Sequence, residues 1–150
     1  MNIDDTAPDF TLKDQDEKDF KLSDFRNKRV LLSFHPLAFT GYCTKQMLSL
    51  EAEFDTLTAL NTVPVGISVD PQPSKKAWAD SMNLKKLRII SDFWPHGQVS
   101  QQYGLFREKY GTSQRANVIV DETGKIIFLK VYPVLSLPDI QEVIVFLKGL

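Results

Sequence analysis

The sequence predicts an α/β fold in a single domain over residues 1–150, and three observations support this prediction. Short apolar runs of strand length alternate along the chain with segments in which apolar residues recur at helical spacing. This alternation ends in a hairpin followed by a final helix. The 150 residues are 43% hydrophobic and have a formal net charge of −1, so they can bury one ordinary core.

The first half of the chain is predicted to contain an N-terminal β-hairpin and two strand–helix units. The hairpin follows from two short runs of strand character that flank a polar turn, and the first helix follows from apolar residues three or four positions apart. In chain order the elements are two strands within 10–22 around the turn 14–17, a helical turn at 22–24, a strand 30–34, a helix 44–60, a strand 63–69 and a helix that begins at Ser74.

The second half continues the alternation with shorter elements. A turn segment at 121–124 contains an aspartate and a glycine, which suits a hairpin. The final helix is predicted to have Pro138 in its first turn, where a missing N–H costs nothing, and to place its apolar residues on one face. In chain order the elements are a strand 88–90, a short helix 97–103, strands 118–120 and 126–129, and a helix that contains 140–147.

Cys43, the only cysteine, lies between the predicted strand 30–34 and the predicted helix 44–60. The first N–H groups of a helix lack intrahelical acceptors and form the positive end of its dipole, so a thiolate is favoured there over a thiol. This position predicts a reactive sulfur. The alternative is that Cys43 is a small buried hydrophobic residue, as isolated cysteines usually are.

Composition argues against several other kinds of protein. A single cysteine cannot form an internal disulfide, and two histidines far apart in sequence supply a metal site poorly, so we expect neither a metal nor another cofactor. No basic cluster indicates nucleic acid, and no apolar run approaches the length of a membrane span. The N-terminus is acidic where a signal peptide would be basic and then apolar, so we expect a cytoplasmic location.

Pro36, Thr40 and Cys43 form the pattern Pro-x-x-x-Thr-x-x-Cys. With this pattern the sequence resembles the peroxiredoxins, in which it contains the peroxidatic cysteine, and it is most like one-cysteine members of the alkyl hydroperoxide reductase E-like branch. The resemblance runs nearly end to end. Further familial segments are Ala7-Pro8-Asp9-Phe10, Ser68-Val69-Asp70, Ser91-Asp92-Phe93-Trp94-Pro95-His96-Gly97, Tyr103-Gly104, and Arg115 before Val118-Ile119-Val120.

The resemblance implies a thioredoxin-like fold, with a central mixed β-sheet flanked by helices, and a catalytic set of Cys43, Thr40, Arg115 and Pro36. Such a peroxidase needs donors near the sulfur and the breaking O–O bond, and a hydroxyl and a guanidinium can supply them. Pro36 would close the pocket to water. Each residue also has a purely structural interpretation: Thr40 as a helix N-cap, Arg115 as a solvated residue, and Pro36 as the end of a strand.

Two supporting positions depart from the usual family pattern. His35 precedes Pro36 where an aromatic residue is common, and it either hydrogen-bonds near the thiolate or only packs. Gln46 stands three residues after Cys43 where the family often has glutamate. Its amide oxygen can still accept a hydrogen bond from Arg115 and orient it, without the charge that would strengthen the bond.

Aromatic residues divide into core and loop positions. Trp78 lies on a predicted helix and is expected in the core. Phe39, Phe93 and Trp94 lie in predicted loops beside the active site, and in peroxiredoxins of this size such loops build a dimer interface. The resemblance therefore implies a homodimer whose interface contains these three residues.

The first functional hypothesis is a thiol-dependent peroxidase that reduces hydrogen peroxide, organic hydroperoxides or peroxynitrite through a Cys43 sulfenic acid. With one cysteine, the resolving thiol must come from outside, either a low-molecular-weight thiol or a protein of the thioredoxin or glutaredoxin type. The alternatives are a regulatory redox sensor with little turnover and a thiol–disulfide exchange protein. The last is disfavoured because the Cys-x-x-Cys motif of thioredoxins is replaced by Thr40-Gly41-Tyr42-Cys43.

Overall fold

The computed structural model describes residues 1–150, with nine strands, five α-helices and one 3-10 turn. The elements in chain order are β1 Thr11–Lys13, β2 Asp19–Lys21, the 3-10 turn Leu22–Phe25, β3 Arg29–Phe34, α1 Gly41–Ala52, α2 Phe54–Ala59, β4 Thr62–Ser68, α3 Gln72–Met82, β5 Arg88–Ser91, α4 Gln98–Gln102, β6 Phe106–Arg107, β7 Thr112–Ser113, β8 Arg115–Val120, β9 Ile126–Tyr132 and α5 Ile140–Lys148. None of the five helices is both long enough and apolar enough to cross a lipid bilayer.

A five-stranded mixed sheet in the order β5-β4-β3-β8-β9 forms the centre of the molecule. Strands β5, β4 and β3 are parallel, β8 pairs antiparallel with β3, and β9 pairs antiparallel with β8. Strands β1 and β2 form a separate antiparallel hairpin at the N-terminus. The predicted mixed sheet and N-terminal hairpin are therefore confirmed, while the small hairpin of β6 and β7 was not predicted because its strands have only two residues each.

The central sheet has a hydrophobic core on each face because its strands alternate side chains between the two faces. Along β3, Leu32 belongs to the core that contains Phe20 of the β1–β2 hairpin and Val99 of α4. Leu31, its neighbour, belongs to the core formed with helices α1, α3 and α5. The same alternation points Ser33 toward α1, where its hydroxyl bonds to Gln46. Trp78 of α3 is buried in this second core, as predicted.

The bounds of several helices differ from the prediction. The predicted helix 44–60 begins earlier, at Gly41, and is broken at Glu53 into α1 and α2, although the apolar spacing continues through the break. Helix α3 begins at Gln72 rather than Ser74, and a proline lies in its first turn. Helix α5 begins at Ile140 after an Asp139 N-cap, whose side chain accepts from Gln141 N, so Pro138 precedes the helix instead of lying in it.

The segment from Ser91 to Gly104, singled out by the family resemblance, has structural roles in this chain. The Asp92 carboxylate accepts hydrogen bonds from the backbone N–H groups of Val99 and Ser100 at the start of α4. Tyr103 is buried and donates its hydroxyl to Pro8 O at 2.8 Å, which ties α4 to the N-terminal segment. Gly97 has a φ of +67°, and a Cβ there would come within 2.3 Å of the Phe106 ring. These contacts fix the loop after β5.

Candidate active site

The site lies where the carboxyl end of β3, the start of α1 and the start of β8 meet. Because β8 is antiparallel to β3, its first residues come level with the last residues of β3, and Ala116 pairs with Phe34. Arg115 is therefore placed beside the chain segment that leaves β3 and leads into α1. Residues distant in sequence converge here because of this register.

Cys43 is the third residue of α1, whose N-cap position is Thr40. The first backbone bond of the helix runs from Thr44 N to Thr40 O at 2.9 Å, so the N–H of Cys43 precedes the intrahelical ladder. The side chain is 0% exposed and packs in the core on the helix side of the sheet. The two interpretations of this cysteine thus combine, since a thiol in a hydrophobic setting also lies at a helix N-terminus.

Arg115 is buried, and its guanidinium is held by three groups. Its Nε and Nη2 donate to Val134 O at 3.0 and 2.7 Å, and its Nη1 donates to Gln46 Oε1 at 2.7 Å. The same Nη1 lies 3.4 Å from Cys43 Sγ. The structure therefore places a fixed positive charge in contact with the only thiol of the chain, and excludes the solvated interpretation of Arg115.

Gln46 is oriented by a buried polar network under α1. Its Nε2 donates to Ser33 Oγ at 2.7 Å and to Phe34 O at 3.2 Å, which turns its oxygen toward Arg115. Ser33 Oγ in turn donates to Asn117 Oδ1 at 2.8 Å. Since a guanidinium can only donate, the amide is compatible with Arg115 in this orientation alone.

Sequence reasoning missed Ser33 and Asn117. These two residues pair across β3 and β8, and alternation directs both toward α1. The signal that could have found them is a polar residue inside an otherwise apolar strand run, at Ser33 within 30–34 and at Asn117 next to Val118. A buried polar side chain needs a partner, so two such interruptions on adjacent strands indicate a polar network.

Thr40 and Pro36 lie on a pocket of about 360 Å³ that is also lined by Arg115. Thr40 occupies the N-cap position but makes no side-chain capping bond, so that structural interpretation fails; its Oγ1 donates to Leu37 O at 2.8 Å. Pro36 is buried and lines the pocket next to Thr40. Cys43 does not line this pocket, and Arg115 is the residue that touches both the pocket and the sulfur.

His35 is fully buried, and neither of its ring nitrogens bonds to the sulfur. Its Nδ1 lies 3.2 Å from Ser33 O, and its Nε2 lies 3.2 Å from Lys75 Nζ. Burial, followed by the nearby charge of Lys75, lowers the pKa of His35 well below its usual value. The imidazole is therefore neutral at physiological pH, and no hydrogen bond joins it to Cys43.

The three predicted interface aromatics are exposed. Phe39 is 58% exposed in the loop between β3 and α1, while Phe93 and Trp94 are 45% and 79% exposed in the loop between β5 and α4. Strands β3 and β5 are parallel members of one sheet, so these loops leave the same edge of the sheet as the site.

Comparison with known proteins connects this geometry with a family. The sequence model of the AhpC/TSA family matches residues 3–129. Alkyl hydroperoxide reductase E of Mycobacterium tuberculosis is 42% identical over 129 residues, covering 85% of this chain and 84% of its own length. Peroxiredoxin Bcp of Escherichia coli is 35% identical over 128 residues, covering 81% of this chain and 80% of its own.

Solved structures give the same fold. The crystal structure of Enterococcus faecalis AhpC superimposes with a TM-score of 0.91 at 24% identity, covering 99% of this chain and 92% of that one. The reduced 2-Cys peroxiredoxin of Plasmodium vivax superimposes with the same TM-score of 0.91 and identity of 24%, covering 81% of that chain. The thioredoxin-like arrangement predicted from the sequence is thereby confirmed.

Ser33→Ala tests the polar network. Removing the hydroxyl leaves Asn117 Oδ1 and one Gln46 N–H buried without their partner, so we expect a loss of about 1–3 kcal/mol in the free energy of unfolding. Urea denaturation measures it. Ser136→Ala is the matched control, because that hydroxyl donates to a backbone carbonyl at an exposed site and its loss is expected to cost less than about 0.5 kcal/mol. Equal losses in the two variants would contradict the network.

Proposed function

Because the chain belongs to the AhpC/TSA family and is a thiol-dependent peroxidase of the one-cysteine peroxiredoxin type, we propose that Cys43 is the sulfur that attacks the peroxide. The observation that most supports this assignment is the 3.4 Å contact between Cys43 Sγ and Arg115 Nη1 at the first turn of a helix. Both the cation and the helix N-terminus favour the thiolate, which is the nucleophilic form.

In the proposed reaction the Cys43 thiolate attacks one peroxide oxygen. An S–O bond forms while the O–O bond breaks, and the departing oxygen takes the electron pair. It then takes a proton from solvent to become water or an alcohol, whereas peroxynitrite releases nitrite without a further proton. The sulfur is oxidised to a sulfenic acid as the peroxide is reduced. Thr40 Oγ1 already gives its proton to Leu37 O, so its lone pairs are free to accept the hydrogen of a bound peroxide.

Arg115 is proposed to do more than favour the thiolate. A free cysteine thiol with a pKa of about 8.5 is about 3% ionised at pH 7, so complete ionisation raises the reactive fraction only about thirtyfold. Nucleophilicity also falls as thiol basicity falls. The larger contribution must come from donors aimed at the charge that develops on the breaking O–O bond, and the guanidinium is fixed in place for this by Val134 O and Gln46.

The proposed substrates are hydrogen peroxide, organic hydroperoxides and peroxynitrite. The pocket of about 360 Å³ exceeds what hydrogen peroxide alone fills, and its outer wall includes Leu37, Tyr110, Val134 and Leu135. An apolar wall of this kind suits the organic part of a hydroperoxide.

The reductant is a thiol from outside the chain. It attacks the sulfenic sulfur of Cys43, releasing water and leaving a mixed disulfide, and a second thiol then restores Cys43 and leaves as the disulfide of the reductant. We propose a low-molecular-weight thiol or a thioredoxin- or glutaredoxin-type protein, acting in the cytoplasm where thiols are kept reduced. A steady-state assay that pairs each reductant class with each peroxide tests this, and the absence of turnover with every pair would favour the sensor alternative.

Arg115→Ala is expected to slow peroxide reduction by far more than the thirtyfold available from ionisation alone, because it also removes transition-state stabilisation. The second-order rate constant with hydrogen peroxide, measured together with the Cys43 thiolate fraction, separates these two effects. A loss fully accounted for by the thiolate fraction would contradict the proposed role.

Arg107→Ala is the control for this variant. Arg107 lines the same pocket but makes no hydrogen bond to Cys43 and packs over the Tyr110 ring at 4.1 Å. We expect less than about a tenfold loss with hydrogen peroxide, because a half-buried cation that does not contact Cys43 acts on it only through a partly screened field. Equal losses in the two variants would mean that the general charge of the pocket matters and the Arg115 contact does not.

The oxidation products of Cys43 provide another test. With no second cysteine in the chain, the sulfenic acid waits for an external thiol and is exposed to further peroxide. Stoichiometric peroxide without reductant should give one added oxygen that a sulfenic-acid trap captures, and excess peroxide should give a second oxygen and an inactive protein. Thiols should restore activity only from the first product.

Intact mass during a peroxide titration, with non-reducing electrophoresis alongside, measures these products. A disulfide between the Cys43 residues of two chains as the main product would overturn the proposed mechanism, because a buried sulfur cannot meet a second one without an open pocket.

We also propose a homodimer through the Phe39, Phe93 and Trp94 loops. The proposal is supported by their exposure in loops that leave the same end of the sheet as the site, since exposed large apolar side chains that form a patch mark interaction surfaces. Packing a second chain here would cover the loop that contains Thr40 and reduce the access of water to the pocket.

Trp94→Glu is expected to convert the dimer into a monomer, because it places a charge in the centre of the proposed interface. Sedimentation velocity at micromolar concentration measures the change. Val145→Glu is the matched control, since Val145 is an exposed apolar residue of α5, and this variant should remain dimeric. A wild-type monomer under the same conditions would refute the proposed dimer.

A further inference from the structure

Lys75 is a buried cation that the peroxidase mechanism described above does not use. It belongs to α3, its side chain is 0% exposed, and it forms no ion pair within 4.0 Å. Its Nζ makes one side-chain hydrogen bond, to His35 Nε2 at 3.2 Å, and lies 5.5 Å from the centre of the Trp78 ring. Lysine is almost never fully buried without a partner, so this position demands a physical explanation.

The partner of Lys75 is a neutral histidine in a defined tautomer. Ser33 O can only accept, so His35 Nδ1 donates to it, and Nε2 keeps the lone pair that accepts from Lys75. The ring of His35 also lies 5.3 Å from that of Trp78. His35 is thus held between β3 and α3 while Pro36, the next residue, lines the pocket.

The sheet leaves space for this pair at Gly66 of β4. A Cβ on Gly66 would come within 3.3 Å of the His35 ring and within 2.3 Å of Met47 Sδ. A strand interior normally disfavours glycine, so its presence here is explained by the close approach of the two side chains. The local backbone is therefore compatible with the buried histidine to which Lys75 bonds.

The charged and titratable groups around Lys75 come from four segments. Burial lowers the pKa of Lys75 to about 7, and the charges of Asp70, Cys43 and Asp92 act in the opposite direction. Asp70 follows β4, Asp92 follows β5, Cys43 lies on α1, and neutral His35 follows β3. The electrostatic interaction between Lys75 and Cys43 is mutual: a thiolate favours the ammonium, and the ammonium favours the thiolate.

We propose that Lys75 is a positioning residue for the peroxidase reaction, a second buried positive charge that favours the Cys43 thiolate from the α3 side while it anchors His35 next to Pro36. The proposal rests on the proposed role of Cys43. Lys75 is not proposed to touch the peroxide; it acts through the electrostatic potential at the sulfur and through the position of the His35–Pro36 turn.

The proposed effect depends on pH in a definite direction. With a pKa of about 7, Lys75 is charged below neutrality and loses its charge as the pH rises above it. Its stabilisation of the thiolate is therefore present below about pH 7 and fades above it. The effect of removing Lys75 should follow the same course, large at low pH and small at high pH.

Lys75→Met and Lys75→Gln test the inference, because both remove the charge and Gln retains a donor for His35 Nε2. At about pH 6 we expect both variants to show a lower thiolate fraction of Cys43 and a rate constant with hydrogen peroxide at least about fivefold below wild type. At about pH 9 the rate constants should approach the wild-type value, since Lys75 is then neutral in wild type as well.

Lys76→Met is the matched control. Lys76 is the next residue of α3, but it is exposed and pairs with Asp16 and Asp80 on the surface. Its removal should leave both the thiolate titration and the rate constant unchanged at every pH. A loss of the same size in Lys76→Met would mean that net charge, and not the buried position, is responsible.

Thermal unfolding provides a readout that does not depend on activity. The pKa of Lys75 is about 7 in the folded protein against 10.5 in an exposed lysine, so the unfolded chain binds an extra proton between these values. The free energy of unfolding of wild type should therefore rise as the pH increases from about 7 to about 10.5. The Tm of Lys75→Met relative to wild type should decrease across the same window, which also establishes that the variant folds.

Four outcomes distinguish the possibilities. A loss that is equal at low and high pH in Lys75→Met would indicate a packing defect and overturn the inference. Full recovery in Lys75→Gln would overturn the role of the charge, because the hydrogen bond to His35 alone would then account for the effect. A pH-dependent loss in both variants supports it. A wild-type protein that fails to reduce any peroxide would instead refute the proposed function, whatever the variants do.

Discussion

The bonding of the Arg115 guanidinium is the constraint on which the rest of the site depends. A buried cation is costly unless its donors are satisfied, and here Val134 O, Gln46 Oε1 and Cys43 Sγ face them. Gln46 and Cys43 belong to α1 and Val134 follows β9, so the guanidinium joins α1 to β8 and to the segment after β9. The hydrogen bonds that offset the cost of burying the guanidinium also hold it in contact with Cys43 Sγ. One set of hydrogen bonds therefore stabilises the fold and positions the charge for the reaction.

Strand alternation explains why a polar network exists inside this core. Ser33 and Asn117 face α1 because Leu32 and Val118, their neighbours, face the opposite core. Gln46 lies opposite them, three residues after Cys43, so one helical turn separates the sulfur from the amide that orients its arginine. The family resemblance leads one to expect glutamate at this position, and the hydrogen bonds explain why this chain can use an amide instead. Its N–H groups donate to Ser33 Oγ and Phe34 O, which a carboxylate could not do.

The sequence predicted what local patterns encode and missed what only the register brings together. Pro36, Thr40 and Cys43 are close in sequence, so their motif and the helix after it were visible. The apolar runs predicted the alternating strands and helices, and the family resemblance implied the mixed sheet. Lys75, 40 residues from His35, carries no local signal that it is buried. The break in the helix at Glu53 was also hidden, because the apolar spacing continues through it and no proline or glycine marks it. Contacts between residues distant in sequence determine the burial of Lys75 and the helix break, and the propensities of single residues do not.

Full burial of Cys43 links these observations. Electrostatic interactions strengthen where water is excluded, so a sulfur that is 0% exposed responds strongly to the few charges near it. Those charges are Arg115, in direct contact, and Lys75, whose charge changes near neutral pH. A permanent cation lowers the free energy of the thiolate by the same amount at every pH. A titrating cation adds a contribution that is lost as the pH rises through about 7, so the electrostatic stabilisation of the buried thiolate itself depends on pH, in addition to the ionisation of the thiol.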